Sequence, residues 1–213
     1  MKVFLSYSSL DKELAGQIKH ELENYGLSVF LAHEDIEPLA EWVDTIHAEL
    51  KASDIFIPIL TESFSESDWT DQETGIAFAL NKLIISLKIT EDPHGFIARF
   101  QALKMDMKEI KPLCYKLTEV IANKPVLGDL FRDTLIKNFG ESWSFDNASR
   151  NTEILVSFEG YNLRQVTDII RYTIANNQIN KSFKAQGKLN NLIHKYKDSI
   201  DPELLQAFYK AIE

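Results

Sequence analysis

The feature that most constrains this chain is an alternation. Short runs of β-branched and aromatic residues recur between segments of helical periodicity, the pattern of βαβ units that feed a parallel sheet. The five runs are Val3 to Leu5, Ser28 to Leu31, Ile55 to Leu60, Leu83 to Leu87 and, weakest, Ala102 to Met105. Between them, residues 11–25 carry Leu14, Ile18, Leu22 and Tyr25 at helical spacing, and residues 42–51 carry Val43, Ile46 and Leu50. Stripes of this kind face a sheet. Gly26 stands where a left-handed helix cap is cheapest, Ser65 is placed to cap a third helix over residues 66–80, and a last helix is expected over 108–121. These elements predict an α/β domain of three layers around a five-stranded parallel sheet.

Beyond Lys124 the pattern changes, because Pro125 and Gly128 break it and helical periodicity then dominates. Leu163, Val166, Ile170 and Ile174 form one stripe; Leu189, Leu192, Ile193 and Tyr196 form another. Asp201 and Pro202 read as cap and first turn of a final helix bearing Leu204, Leu205, Phe208 and Ile212. Residues 152–158 suit either a strand or a helix. The expected organisation is therefore a first domain over residues 1–124 and a mostly helical C-terminal region over residues 125–213.

Charge divides the chain at the same place. Residues 1–124 hold 12 Lys/Arg against 21 Asp/Glu, and residues 125–213 hold 11 of each, so the whole net charge of -9 lies in the first part. Such a surface repels a phosphate backbone and argues against binding nucleic acid through counterion release. It is equally explained by solubility. No apolar run approaches the roughly 18 to 20 residues that cross a bilayer, and Pro58 interrupts the strongest one. Met1 leads directly into a strand without an apolar leader, and the single Cys114 permits neither an internal disulfide nor a cysteine zinc site, so a cytoplasmic chain without a membrane partner is expected.

In open parallel sheets ligands bind beyond the carboxyl ends of the strands. After the first strand come Ser6, Tyr7, Ser8 and Ser9, with no glycine, so neither a dinucleotide fingerprint nor a phosphate-binding glycine loop is present. A plain small-residue turn explains this segment equally well. After the second strand a loop of about ten residues leads to Trp42 and holds four carboxylates; long loops of this kind are more often functional than idle. His33 there has no histidine or cysteine partner, and no metal site is expected.

The third helix is the most informative. At about 100° per residue, with Trp69 at zero, Glu73 falls near ~40°, Ile76 near ~340°, Ala77 near ~80° and Leu80 near ~20°. Glu73 thus lies within the apolar stripe, whereas Asp68 and Asp71 look like solvated first-turn acids. A dry, unpaired carboxylate costs several kcal/mol, so Glu73 must border a cavity, pair with a base or hold a proton. No Lys or Arg lies on that face within one turn. Two readings fit: a catalytic carboxylate in a ligand crevice, or a residue at the stripe's edge bonded to a loop N–H.

Five blocks, in order and at the right spacing, resemble the TIR domain in its bacterial form. They are Val3 to Ser9 with Asp11, Lys12 and Glu13; Val29 to Ile36; Trp42; Ser53 with Asp54; and Ser67 to Glu73 with Gly75 and Ala77. The resemblance covers about residues 1–122 and implies a flavodoxin-like domain, many members of which cleave NAD at the nicotinamide–ribose bond. It implies that Glu73, four residues after Trp69, is the essential carboxylate, and that Ser6, Tyr7 and Ser8 line the nucleotide pocket. Trp42 takes the place of the loop aromatic that stacks on substrate, Asp35 lies in the loop that closes over it, and Trp69 joins the binding set. NAD would be a substrate and no other cofactor is implied.

Cleavage of an N-glycosidic bond builds oxocarbenium charge that a carboxylate near the ribose stabilises, and nicotinamide leaves neutral. The products would be ADP-ribose, a cyclic isomer or a conjugate. The role implied is bacterial immunity against phage, by depleting NAD or by making a signal for a separate effector protein, with homo-oligomers built through TIR–TIR contacts. The alternative is a scaffold that acts through those contacts without turnover. One departure stands out: relatives commonly carry a glycine between the Ile and the Trp of the second loop, where this chain has Pro38, which stiffens the segment. The pocket loops also lack an Arg or Lys to meet the pyrophosphate, so activity is expected to depend on assembly.

Overall fold

The computed structural model describes residues 1–31, 42–104 and 109–213, together with the backbone but not the side chain of Trp42. The chain forms two compact units, Met1–Val120 and Ile121–Glu213.

In the first unit, β1 (Lys2–Ser6) leads through a short 3-10 turn to α1 (Lys12–Glu23), then β2 (Ser28–Leu31), α2 (Trp42–Ala52), β3 (Ile55–Leu60), a single-turn α3 (Glu62–Ser65) and α4 (Asp68–Ala79). There follow β4 (Leu83–Ile84), β5 (Leu87–Lys88), β6 (Leu103–Lys104) and α5 (Ile110–Ala122), which runs into the second unit. All pairings are parallel, in the order β2-β1-β3-β5-β6, and β4 also lies on β3. This is the flavodoxin-like α/β fold with surrounding helices.

The run expected as one strand over Leu83 to Leu87 is two. Ile55 and Phe56 pair with β4, Ile59 and Leu60 pair with β5, and the break lies opposite Ile57 and Pro58. Pro58 has no N–H to contribute to a ladder, which accounts for an interruption at that place. Of the last strand, read over Ala102 to Met105, the structure describes Leu103 and Lys104; Met105 lies outside the described residues.

The sheet is nearly all apolar, as parallel strands covered on both faces must be. The rings of Phe4 and Phe30 lie 5.3 Å apart and those of Phe4 and Phe56 5.8 Å apart. Ile46 and Leu50 of α2 and Ala77 of α4 pack on these rings, fixing both helices to the sheet. Gly26 has a φ of 78°, as its place after α1 demands.

The second unit is helical: α6 (Leu127–Gly140), α7 (Phe145–Val156), α8 (Leu163–Ala175), α9 (Asn177–Asn180), α10 (Phe183–His194) and α11 (Pro202–Ile212). The ambiguous segment 152–158 is thereby helical as far as Val156. Phe131, Phe139, Leu155, Ile169, Leu189 and Phe208 are fully buried in its core. Asp201 caps α11 by accepting from the Leu204 N–H, with Pro202 in the first turn. Leu163, read as part of a buried stripe, is half exposed; α8 buries Gln165, Val166, Ile169, Ile170 and Thr173 instead. Gln165 is drawn inward by bonds to the Asp133 carboxylate and the Asp129 carbonyl.

Candidate active site at the end of the first strand

The carboxyl end of β1 meets the inner face of α4. Ser6, the last residue of β1, is fully buried, as is Tyr7, and Ser8 is nearly so. Glu73, in the middle of α4, is 2% exposed. The Ser6 hydroxyl donates to Glu73 Oε2 at 2.5 Å, a length typical of a charge-assisted O–H···O bond. No lysine or arginine among the described residues forms an ion pair with this carboxylate. Burial pushes the Glu73 pKa up to about 7, and the Ser6 hydrogen bond pulls the other way. The group is therefore poised between its two forms near neutrality.

The inner face of α4 differs from the stripe that the apolar residues mark. Thr70, Glu73, Thr74 and Ala77 are buried, Trp69 is half-buried and Leu80 is exposed. On the same wheel the buried face is centred at about 90°, roughly 70° from the apolar stripe, so Glu73 lies about 50° from the centre of that face and is nonetheless 2% exposed. Thr70 explains the rotation: its Oγ1 lies 2.6 Å from the Phe64 carbonyl and 2.7 Å from that of Ser67, which share its single proton, so a polar side chain can face inward. The helix also starts later than expected. Ser67, not Ser65, occupies the N-cap position, and Ser65 closes α3. Asp68 and Asp71 are exposed, and Asp71 lies 3.2 Å from His94 Nε2.

A second set of bonds ties the loop after β1 to the start of α3. The Asp11 carboxylate accepts from Thr61 Oγ1 at 2.6 Å and Ser63 Oγ at 2.8 Å, while Thr61 Oγ1 accepts from the Phe64 N–H and caps α3. Because Thr70 holds the Phe64 carbonyl, one chain of hydrogen bonds runs from Asp11 through α3 to the first turn of α4. Asp11 was legible as part of a motif but not as an anchor; the hydroxyls of Thr61 and Ser63, directly after a buried strand, were the available signal.

The structure thus brings Ser6 and Glu73 together, with Tyr7 and Ser8 following Ser6 in the chain and Trp69 one turn before Glu73. Trp42 begins α2, but its side chain lies outside the described residues, as does Asp35. Cys114 is buried and its thiol is pushed up to about 12, so it is no nucleophile near neutral pH. Among the described residues no group of three or more His, Cys, Asp or Glu could hold a metal ion, and no helix is long and apolar enough to cross a membrane.

A family profile described as TIR domain matches residues 3–113. No curated protein matches the sequence. Among solved structures, the TIR domain of the Toll-related receptor TRR-2 from Hydra magnipapillata is 19% identical and covers 62% of this chain and 96% of its own, with a TM-score of 0.46. The CMP N-glycosidase BcmB of Clostridium botulinum is 21% identical and covers 55% of this chain and 98% of its own, with a TM-score of 0.42.

Proposed function

This chain belongs to the TIR domain family, and on that premise we propose that it is an NAD nucleosidase that cleaves the nicotinamide–ribose bond with Glu73 as the catalytic carboxylate. The observation that carries the proposal is Glu73 itself: a carboxylate 2% exposed, without a basic partner among the described residues, and held by the Ser6 hydroxyl at the carboxyl end of β1. A buried acid without a counter-charge costs the fold stability, and a role in ligand chemistry accounts for that cost.

In this reading the bond to the neutral leaving group lengthens first, and positive charge spreads over C1′ and the ring oxygen of the ribose. The ionised Glu73 stabilises that charge and accepts from a ribose hydroxyl, while Ser6 fixes the orientation of the carboxylate. Water attacking C1′ and losing a proton to solvent gives ADP-ribose; attack by the substrate's own adenine gives a cyclic isomer. Trp69, Trp42, Tyr7, Ser8 and Asp35 are assigned to binding. The described part of the pocket supplies no cation for the pyrophosphate, so we assign that contact to backbone N–H groups after β1 or to a second copy of the chain, and the active form to a homo-oligomer. Defence against phage, through NAD depletion or a nucleotide signal for an effector, is the setting this chemistry suits.

A scaffold that assembles without turnover is the second reading. It draws on Leu10, 84% exposed, and Phe96, 64% exposed, which are large apolar side chains on the surface of the first unit. Purified protein at micromolar concentration, incubated with NAD with and without a crowding agent, separates the two. The enzyme reading expects nicotinamide release, and no release under any assembly condition would leave the scaffold.

A further inference from the structure

A cleft of about 780 Å³ lies at the far edge of the sheet, lined by the end of β5, the segment leading into β6, and α5. Its size is that of sites for small organic ligands, which run from roughly 300 to 1,000 Å³. Three lysines line it: Lys88 closing β5, Lys104 closing β6, and Lys116 on α5. The one acid in the lining, Asp92, pairs with Lys88 at 2.5 Å but is 79% exposed, so the pair is easily exchanged for a better anion. Lys104 and Lys116 are exposed and form no ion pair with a described residue. The remaining lining is largely apolar and includes Leu103 and Phe100. The Arg99 guanidinium lies 4.8 Å from the Phe100 ring centroid and adds a fourth positive charge nearby.

This cluster runs against the charge of its surroundings. Residues 1–81 hold 4 Lys/Arg against 16 Asp/Glu, whereas residues 82–124 hold 8 against 5. Of the eight cations in that second stretch, Lys88, Lys104 and Lys116 line the cleft and Arg99 lies beside it. Lysine ammonium groups at the rim of an apolar, aromatic-lined cleft suit a compact polyanion carried on a flat or apolar body. A long nucleic acid does not fit, because the acidic remainder of the unit repels it. The lining of the cleft includes neither Ser6 nor Glu73, and β3 stands between β1 and β5 in the sheet.

We propose that the cleft of Lys88, Lys104 and Lys116 is a second binding site, for a phosphate-bearing ligand of mononucleotide size whose base or other apolar portion rests against Phe100 and Leu103. Lys104 and Lys116 bind the phosphate directly, and Lys88 joins them when Asp92 is displaced into solvent.

Calorimetric titration of the full chain with AMP, adenosine and pyrophosphate at low salt tests this. AMP is expected to bind saturably and more tightly than either fragment. The Lys104→Ala/Lys116→Ala variant, whose exposed substitutions leave the fold intact by circular dichroism, is expected to weaken AMP at least tenfold, and Glu73→Gln to leave it unchanged. The proposal is overturned if AMP does not bind, binds no more tightly than pyrophosphate or adenosine, binds the double lysine variant equally well, or is lost in Glu73→Gln.

Discussion

The hydroxyl of Ser6 and the carboxylate of Glu73, 67 residues apart in sequence, meet at 2.5 Å where the first strand ends. Both are buried, and among the described residues their bond is the one hydrogen bond this carboxylate makes. Its geometry makes Glu73 costly to the fold and sensitive to pH.

The cost has a definite pH window. The folded pKa of Glu73 is about 7 against an ordinary 4.5. Between these values the unfolded chain releases its proton while the folded one retains it, so stability from this group falls as pH rises, by up to ~3 kcal/mol above pH 7. Glu73→Gln removes the penalty. Urea unfolding is expected to show the variant more stable than the natural protein by about 1–3 kcal/mol at pH 8, with the difference vanishing near pH 4.5. Equal stabilities at pH 8 would show that the carboxylate is not held in a dry site.

Ser6→Ala removes the bond that favours the charged form. A hydrogen bond to a charged group contributes about 1.5–3 kcal/mol, so the Glu73 pKa should rise by about one to two units. If the ionised form is the active one, nicotinamide release climbs with pH through about 7 in the natural protein and through a higher value in the variant. At neutral pH the variant should be slower by about 5- to 50-fold, and recover as the pH is raised. A uniform loss at every pH would instead mark Ser6 as merely structural.

The tie from Asp11 to Thr61 and Ser63 should matter to stability as a unit. Asp11→Ala is expected to cost about 1–3 kcal/mol, and Thr61→Val a comparable amount because the cap of α3 goes with it. Made together they should cost less than the sum of the two, by at least ~0.5 kcal/mol, in a double-mutant cycle read by denaturant unfolding. Strict additivity would show that the contact carries no energy.

In the second unit, the Leu127 N–H bonds to the Pro125 carbonyl at 2.7 Å across Val126, whose φ is 64° and ψ -55°. This is the strained form of γ-turn, and a β-branched residue is the least suited to it. Val126 is 81% exposed, so it stabilises little in return. Val126→Gly should raise the midpoint of thermal unfolding, by about 1 kcal/mol in free energy. A lowered midpoint would contradict the assignment of strain.

The alternating pattern made the sheet legible because buried parallel strands are apolar on both faces, and Val3 to Leu5, Ser28 to Leu31 and Ile55 to Leu60 can be little else. The break between β4 and β5 was not legible: Pro58 interrupts the ladder of the neighbouring strand, a long-range effect invisible in the run from Leu83 to Leu87 itself. For α4 the periodicity of apolar residues put Glu73 on the inner side but misjudged the phase, since Thr70 and Thr74 are buried and Leu80 is not. Thr70, whose hydroxyl bonds to nearby carbonyls, does not count as apolar in a sequence pattern, yet it packs as if it were. The bond from Ser6 joins two motifs that sequence places near each other only through the fold.

The central claim is that cleavage of NAD depends on the Glu73 carboxylate. Its most direct test is the rate of nicotinamide release at pH 8 by the natural protein and by Glu73→Gln, under the assembly condition that gives the highest activity, with NAD binding measured alongside. A loss of at least about 100-fold in rate with NAD binding retained is predicted, as befits a group that stabilises charge in the transition state. Equal rates in the two proteins would contradict the account.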